Sequence, residues 1–221
     1  MNNSTSTQSP ENPLNYNRYS YCLFSPLQYV DPSGEKIVPA GEKEAKAYYE
    51  FKANAPDHVQ AELTRLEGAE EVFRIRMGDN ITNTSGEGNF IYNPTTGEFD
   101  INIHEGGDCN TMEKLSHELK HGIQYLDREI GFEIKGNTAS PIVYDKTDEH
   151  SAYTRQNLFR NKSEINVYQY VLENYRNLTD KSITIDNVKD PMDLKSMIYF
   201  NNINPNQPKF IYHGWQNDIK K

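Results

Sequence analysis

Two cysteines in 221 residues, Cys22 and Cys109, are too few for a disulfide framework and too far apart for a paired-thiol metal site, so stability has to come from a packed core. No stretch approaches the roughly 18–20 apolar residues that a spanning helix needs, which excludes a helical membrane span from the expectations. Basic residues are outnumbered, 23 Lys and Arg against 32 Asp and Glu, for a net charge of -9. A chain that neutralises a phosphate backbone needs the opposite balance, so nucleic acid is not expected as a partner. Met1–Pro10 is rich in Asn, Ser and Thr and has neither the basic start nor the apolar run of a secretory signal. What the chain does have is tyrosine, 15 residues beside 9 Phe and 1 Trp, a ring suited to half-wet surfaces and sites.

The composition divides the chain. Residues 1–12 read as a polar, disordered tail. A Tyr/Pro/Asn segment follows to Glu35, closing on the turn signal Asp31-Pro32-Ser33-Gly34. From Glu42 to Leu66 the pattern is helical and broken at Pro56. Glu71–Met77 alternates as a half-buried strand does, and Asn89–Tyr92 and Glu98–His104 predict two strands about an Asn93-Pro94-Thr95-Thr96-Gly97 turn. A helix is predicted from Met112 to about Gly131. Asn110 with Glu113 forms a capping-box signal, and Met112, Leu115, Leu119, Ile123, Leu126 and Ile130 give the apolar stripe. Further helices are predicted over 148–160 and 164–176; residues 177–221 yield no clear pattern.

The predicted long helix contains His117-Glu118-Leu119-Lys120-His121, an HExxH motif. Residues four apart share a helix face, so both imidazoles can reach one ion. Zinc lowers the pKa of a bound water to about 7. Glu118, beside the ligands, is placed to take its proton and pass it to a leaving amine. A surface helix carrying two histidines by chance has no reason to place them inside an unbroken apolar stripe. Strand, loop and then HExxH helix is the order expected of a zincin, and Gly122 leaves room for a neighbouring segment.

Catalytic zinc usually takes three protein ligands, and no third histidine follows at close spacing. The next helix offers Glu149, with Ala152 one turn on to allow close packing; His150 and Asp148 remain alternatives. Candidate donors to a developing oxyanion are Tyr153, His150, Tyr168, Arg160 and His213, with Tyr153 preferred because it lies one turn from Glu149. The backbone near His104 and Glu105 is a candidate edge for aligning a peptide.

Two resemblances extend this reading. Asn17-Arg18-Tyr19-Ser20-Tyr21-Cys22-Leu23, followed by Ser25-Pro26-Leu27-Gln28-Tyr29-Val30-Asp31-Pro32-Ser33-Gly34-Glu35, resembles the end of the RHS-repeat-associated core domain, although almost all of that repeat shell is missing from this chain. In that family a variable toxin follows this boundary, which implies a toxin domain over 36–221 and accounts for the tyrosines of the first segment. Leu115–Gly122, with Glu149–Asn157 and Arg160, is similar to gluzincin-like effector peptidases. That similarity implies His117, His121 and Glu149 as zinc ligands and Glu118 as the base.

Together these give the expectations carried forward. The fold is α+β and zincin-like: a small, mostly antiparallel sheet, then the HExxH helix, then further helices. Residues 1–35 are a tail and RHS remnant, and 36–221 are the metallopeptidase toxin domain. Metal ligands are His117, His121 and Glu149, catalytic residues are Glu118 and Tyr153, and the cofactor is Zn2+. Partners are a protein or peptide substrate and a cognate immunity protein. The protein is secreted, or delivered to a target cell by a dedicated secretion system. The alternatives are a toxin of another chemistry, such as a nuclease, and an inactive remnant that binds only a metal or a partner.

Overall fold

The computed structural model describes residues 34, 36–81, 86–187 and 209–216. The assignment of 1–35 to a tail and repeat remnant therefore lies, Gly34 apart, outside the described residues. The elements below all belong to the unit Lys36–Lys221.

A short strand β1 (Ile37–Pro39) leads into helices α1 (Glu42–Asn54) and α2 (Asp57–Glu67), separated at Pro56 as the sequence predicts. Strand β2 (Phe73–Met77) follows, then β3 (Gly88–Asn93), β4 (Glu98–Ile103) and helix α3 (Thr111–Leu126). Beyond α3 come β5 (Gly131–Lys135), β6 (Thr138–Ile142), α4 (Lys146–Asn157), α5 (Val167–Asn174), β7 (Lys209–Tyr212) and β8 (Trp215–Gln216). The fold class is α+β.

The sheet ahead of α3 runs β1-β2-β4-β3 and is mixed. The expected antiparallel pairing holds for β3 with β4, but β1 with β2 and β2 with β4 are parallel. The reason is connectivity: α1 and α2 cross over between β1 and β2, and β3 folds back at the far edge so that β4 returns in the direction of β2. The β3–β4 turn is built by Asn93, whose Oδ1 accepts from Thr95 N at 3.0 Å, and by Gly97 at φ +75°. A second sheet, β6-β5-β7-β8, is wholly antiparallel. It arises partly from residues 131–142, which the sequence leaves unassigned.

The core lies between the first sheet and helices α1–α3. Phe73, Ile75 and Met77 of β2 and Phe99, Ile101 and Ile103 of β4 meet Val59, Leu63 and Leu66 of α2 and Leu115, Leu119 and Ile123 of α3, all buried. Burying each such side chain favours folding by about 1.5–3 kcal/mol. Gly122 is the point of closest approach: a Cβ there would stand 3.2 Å from Leu66 Cδ2 and 3.7 Å from Phe73 Cε1. The alternate residues of β2 are half-buried in ion pairs, Arg74 with Glu98 and Arg76 with buried Asp100. This packing places α3 beside β3, so that His117, Glu118 and His121 line a cleft next to that strand.

Candidate metal centre

Helix α3 begins where its capping box places it. Glu113 N donates to Asn110 Oδ1 at 2.9 Å, and the Glu113 carboxylate also receives Arg160 Nη1 at 3.1 Å. One turn on, His117 and His121 share a face, their Nε2 atoms 3.1 Å apart. Helix α4 starts from a second capping box, Asp145 with Asp148, two residues before the sequence places it. Asp145 Oδ2 also accepts Ile183 N at 2.6 Å, pinning the helix start to the following loop. Ala152, fully buried, admits the close α3–α4 contact, and Glu149 Oε2 lies 3.4 Å from His117 Nε2. Ligand atoms at zinc distance in tetrahedral geometry sit about 3.3 Å from one another, so this spacing fits one ion.

The neighbours of each ligand decide which atoms remain available. Gln124 Nε2 donates to Asp148 O at 3.0 Å and Asp148 Oδ1 at 3.1 Å, so its Oε1, 2.7 Å from His121 Nδ1, is an acceptor. His121 therefore carries its proton on Nδ1 and leaves Nε2 as a bare lone pair. Gln156 Oε1 stands 3.0 Å from His117 Nδ1 in the same way, with its Nε2 donating to Cys109 Sγ at 3.3 Å. Glu149 Oε1 accepts from the Tyr144 hydroxyl, while buried Oε2 faces His117 Nε2. Two imidazole Nε2 atoms and one carboxylate oxygen thus converge, all within 4.8 Å of one another, where positive charge, a proton on His117 or a metal ion, is favoured. His117, His121 and Glu149 are a buried group able to hold a metal ion.

The titrations of the bare protein express the same preference. Burial works against a charged His117, but the bond to Glu149 and the charge of Glu118 outweigh it and raise its pKa. His121, buried and beside His117, falls to about 4. Burial opposes the Glu149 carboxylate, yet the two histidines and Tyr144 hold it below its ordinary value. Glu118, buried with Glu149 nearby and partly relieved by His117, is pushed up to about 7, the value of a group that can exchange a proton near neutrality.

These residues open into a cleft of about 660 Å³, walled by Gly88–Ile91 of β3 on one side and by Tyr144, Tyr153, Tyr170 and Tyr175 among others. Tyr153 sets its ring edge against His117, centroids 4.4 Å apart, and its hydroxyl pairs with that of Tyr175 at 2.9 Å. Burial raises both phenol pKa values, so both remain donors.

Comparison with known protein families, with curated proteins and with solved structures returns no match. The site's own geometry therefore carries the functional reading.

Of the residues singled out in the sequence, His117, Glu118, His121, Glu149 and Tyr153 come together at the cleft. The alternative third ligands do not join them: Asp148 is engaged as a capping residue with Asp145 and Gln124, and His150 is exposed. Tyr168 is exposed, and His213 packs on Tyr125 and bonds Glu71. Arg160 reaches the rim of the cleft, held by Glu113 and Ser163 O. His104 and Glu105 follow β4, an interior strand; the edge strand beside it is β3. Sequence reasoning missed Tyr144, Tyr175, Gln124 and Gln156. Gln124 could have been found, because it stands three residues after His121 on the same helix. Tyr144 and Tyr175 lie outside the helices and offer no spacing signal.

Proposed function

We propose that the protein is a zinc-dependent metallopeptidase that hydrolyses peptide bonds, with His117, His121 and Glu149 as ligands and Glu118 as general base. The observation that carries this reading is the convergence of two imidazole Nε2 atoms and one carboxylate oxygen within 4.8 Å of one another, beside a buried carboxyl poised to titrate near neutrality. Bound there, zinc supplies Lewis acidity that makes water a nucleophile at neutral pH. Glu118 accepts the proton of that water and returns it to the leaving amine. The hydroxyls of Tyr153 and Tyr175 supply donors for the carbonyl oxygen as charge develops on it. Edge strand β3, whose Gly88 touches Glu118, aligns an extended substrate chain by strand addition.

The RHS-like segment before this unit supports a wider proposal: a toxin or effector, secreted or carried to a target cell by a dedicated secretion system and neutralised by a cognate immunity protein. No helix among the described residues is long and apolar enough to cross a membrane. The test is hydrolysis of a casein-type substrate by the zinc-loaded protein and by Glu118→Gln. A fall of about 10²–10⁴ in rate is expected. Undiminished proteolysis in the variant, or nicking of nucleic acid with inert protein substrates, overturns the reading.

A further inference from the structure

Gln124 is fully buried. A primary amide in that position is costly unless its groups are bonded. Its bonds reach two different helices: Oε1 accepts from His121 Nδ1 at 2.7 Å, and Nε2 donates to both Asp148 O and Asp148 Oδ1. Asp148 is the residue before Glu149. One amide thus joins the second ligand of α3 to the first turn of α4, which delivers the third.

We propose that Gln124 is a positioning residue of the metal centre. It fixes His121 in the Nδ1–H tautomer, and it holds α4 where Glu149 meets both histidines. This inference rests on the metal-centre reading above. The chemistry selects an amide over the alternatives. A carboxylate at position 124 still accepts from His121 Nδ1, but it has nothing to donate and brings negative charge against the Asp148 carbonyl. An apolar side chain supplies neither bond. Gln156 repeats the arrangement for His117 from the other direction: it stands on α4 and reaches back to α3. Its own anchor is the Cys109 thiol at 3.3 Å, a weak acceptor, so its hold is the lesser of the two.

The two roles separate experimentally. Wild type, Gln124→Glu and Gln124→Met are compared by ¹⁵N NMR of the His121 ring in metal-free protein and by zinc affinity in competition with a chromophoric chelator. Circular dichroism and cooperative unfolding establish that each protein is folded. Wild type is expected to show the Nδ1–H tautomer. Gln124→Glu keeps that tautomer yet loses zinc affinity by about 10–100-fold, and Gln124→Met loses both. Should Gln124→Met fail to fold, Gln124→Glu remains decisive, because it preserves size and the His121 bond. The inference is overturned if both folded variants bind zinc within about 3-fold of wild type, a change well below that expected of an orienting partner, or if Gln124→Met retains the tautomer. A wild type that shows the tautomer but binds no zinc overturns the metal reading instead.

Discussion

Gly88 and Glu118 are in direct contact. A Cβ on Gly88 would stand 2.8 Å from Glu118 Oε1, 3.1 Å from Glu118 Cγ and 3.0 Å from Asn102 O. The first distance is shorter than real Cβ contacts and falls on the end of the Glu118 side chain, so a Cβ here moves that carboxylate, while the backbone carbonyl of Asn102 is tightly placed as well. Glycine at position 88 lets β3 approach the Glu118 carboxylate this closely. Gly88→Ala is expected to displace the Glu118 carboxylate and to cost about 1–3 kcal/mol of stability, the range for overpacking a filled site. Peptidase activity should fall more than zinc affinity, since the ligands are untouched. Steady-state kinetics beside a zinc titration check this; equal losses in both would show that the contact does not act through Glu118.

Glu118 also sets a pH dependence in the metal-free protein. Its pKa moves from 4.5 to about 7 on folding. The folded state then binds the proton more tightly than the unfolded state, so the stabilising effect of that proton is complete below 4.5 and is lost as pH rises through 7. Relative to Glu118→Gln, wild type should lose up to about 1.4 kcal/mol per pH unit across this window and then level off. Urea unfolding of both proteins at several pH values measures the difference. His121 shifts the opposite way, to about 4, without a contribution from Glu118, and cancels in the comparison, whereas His117, raised in part by the Glu118 charge, titrates together with Glu118 as one coupled step. A constant difference across the window would place Glu118 in a wetter environment than the cleft gives it.

Metal binding should be visible as stability. A ligand that binds only the folded state at about 100 times its Kd adds about 2.7 kcal/mol. For a unit of this size that corresponds to a rise in Tm of roughly 5–11 °C. Scanning calorimetry with and without zinc reads it directly, and a strong chelator should reverse it. His117→Ala and His121→Ala should each abolish the shift, whereas substituting exposed His150 should leave it intact.

The tyrosine pair gives a kinetic prediction. Tyr153→Phe keeps the ring against His117 and removes only the hydroxyl. Loss of one transition-state donor lowers kcat by about 10²–10³, with KM and zinc affinity little changed. Tyr175→Phe removes the partner hydroxyl 2.9 Å away and is expected to have the smaller effect. A larger loss in Tyr175→Phe would exchange their roles.

Much of this arrangement was legible in the sequence because it is local. The apolar stripe of α3, its Asn110–Glu113 box, the break at Pro56 and the i, i+4 placement of His117 and His121 all depend on residues within one or two turns of each other. These rules hold whatever surrounds the helix. Glu149 was reachable by inference, as a carboxylate on the next helix with Ala152 beside it. Helix α4, by contrast, starts two residues earlier than the sequence predicts, because Asp145 caps it with Asp148 at the third helical position.

The sequence by itself determined that a helix would present two histidines on one face with a carboxylate beside them, and that a core rather than disulfides would hold it. Only the tertiary structure decided which atoms of those residues are left unbonded. That choice depends on Gln124 and Gln156 meeting their partners across the α3–α4 contact, on Tyr144 reaching Glu149, and on β3 pressing Gly88 against Glu118. Apart from the bond Gln124 makes to His121 within α3, these are contacts between elements, set by the antiparallel pairing of β3 on β4 and by helix packing. Hydrogen-bond satisfaction in a buried site is a property of that packing, and no spacing along the chain records it.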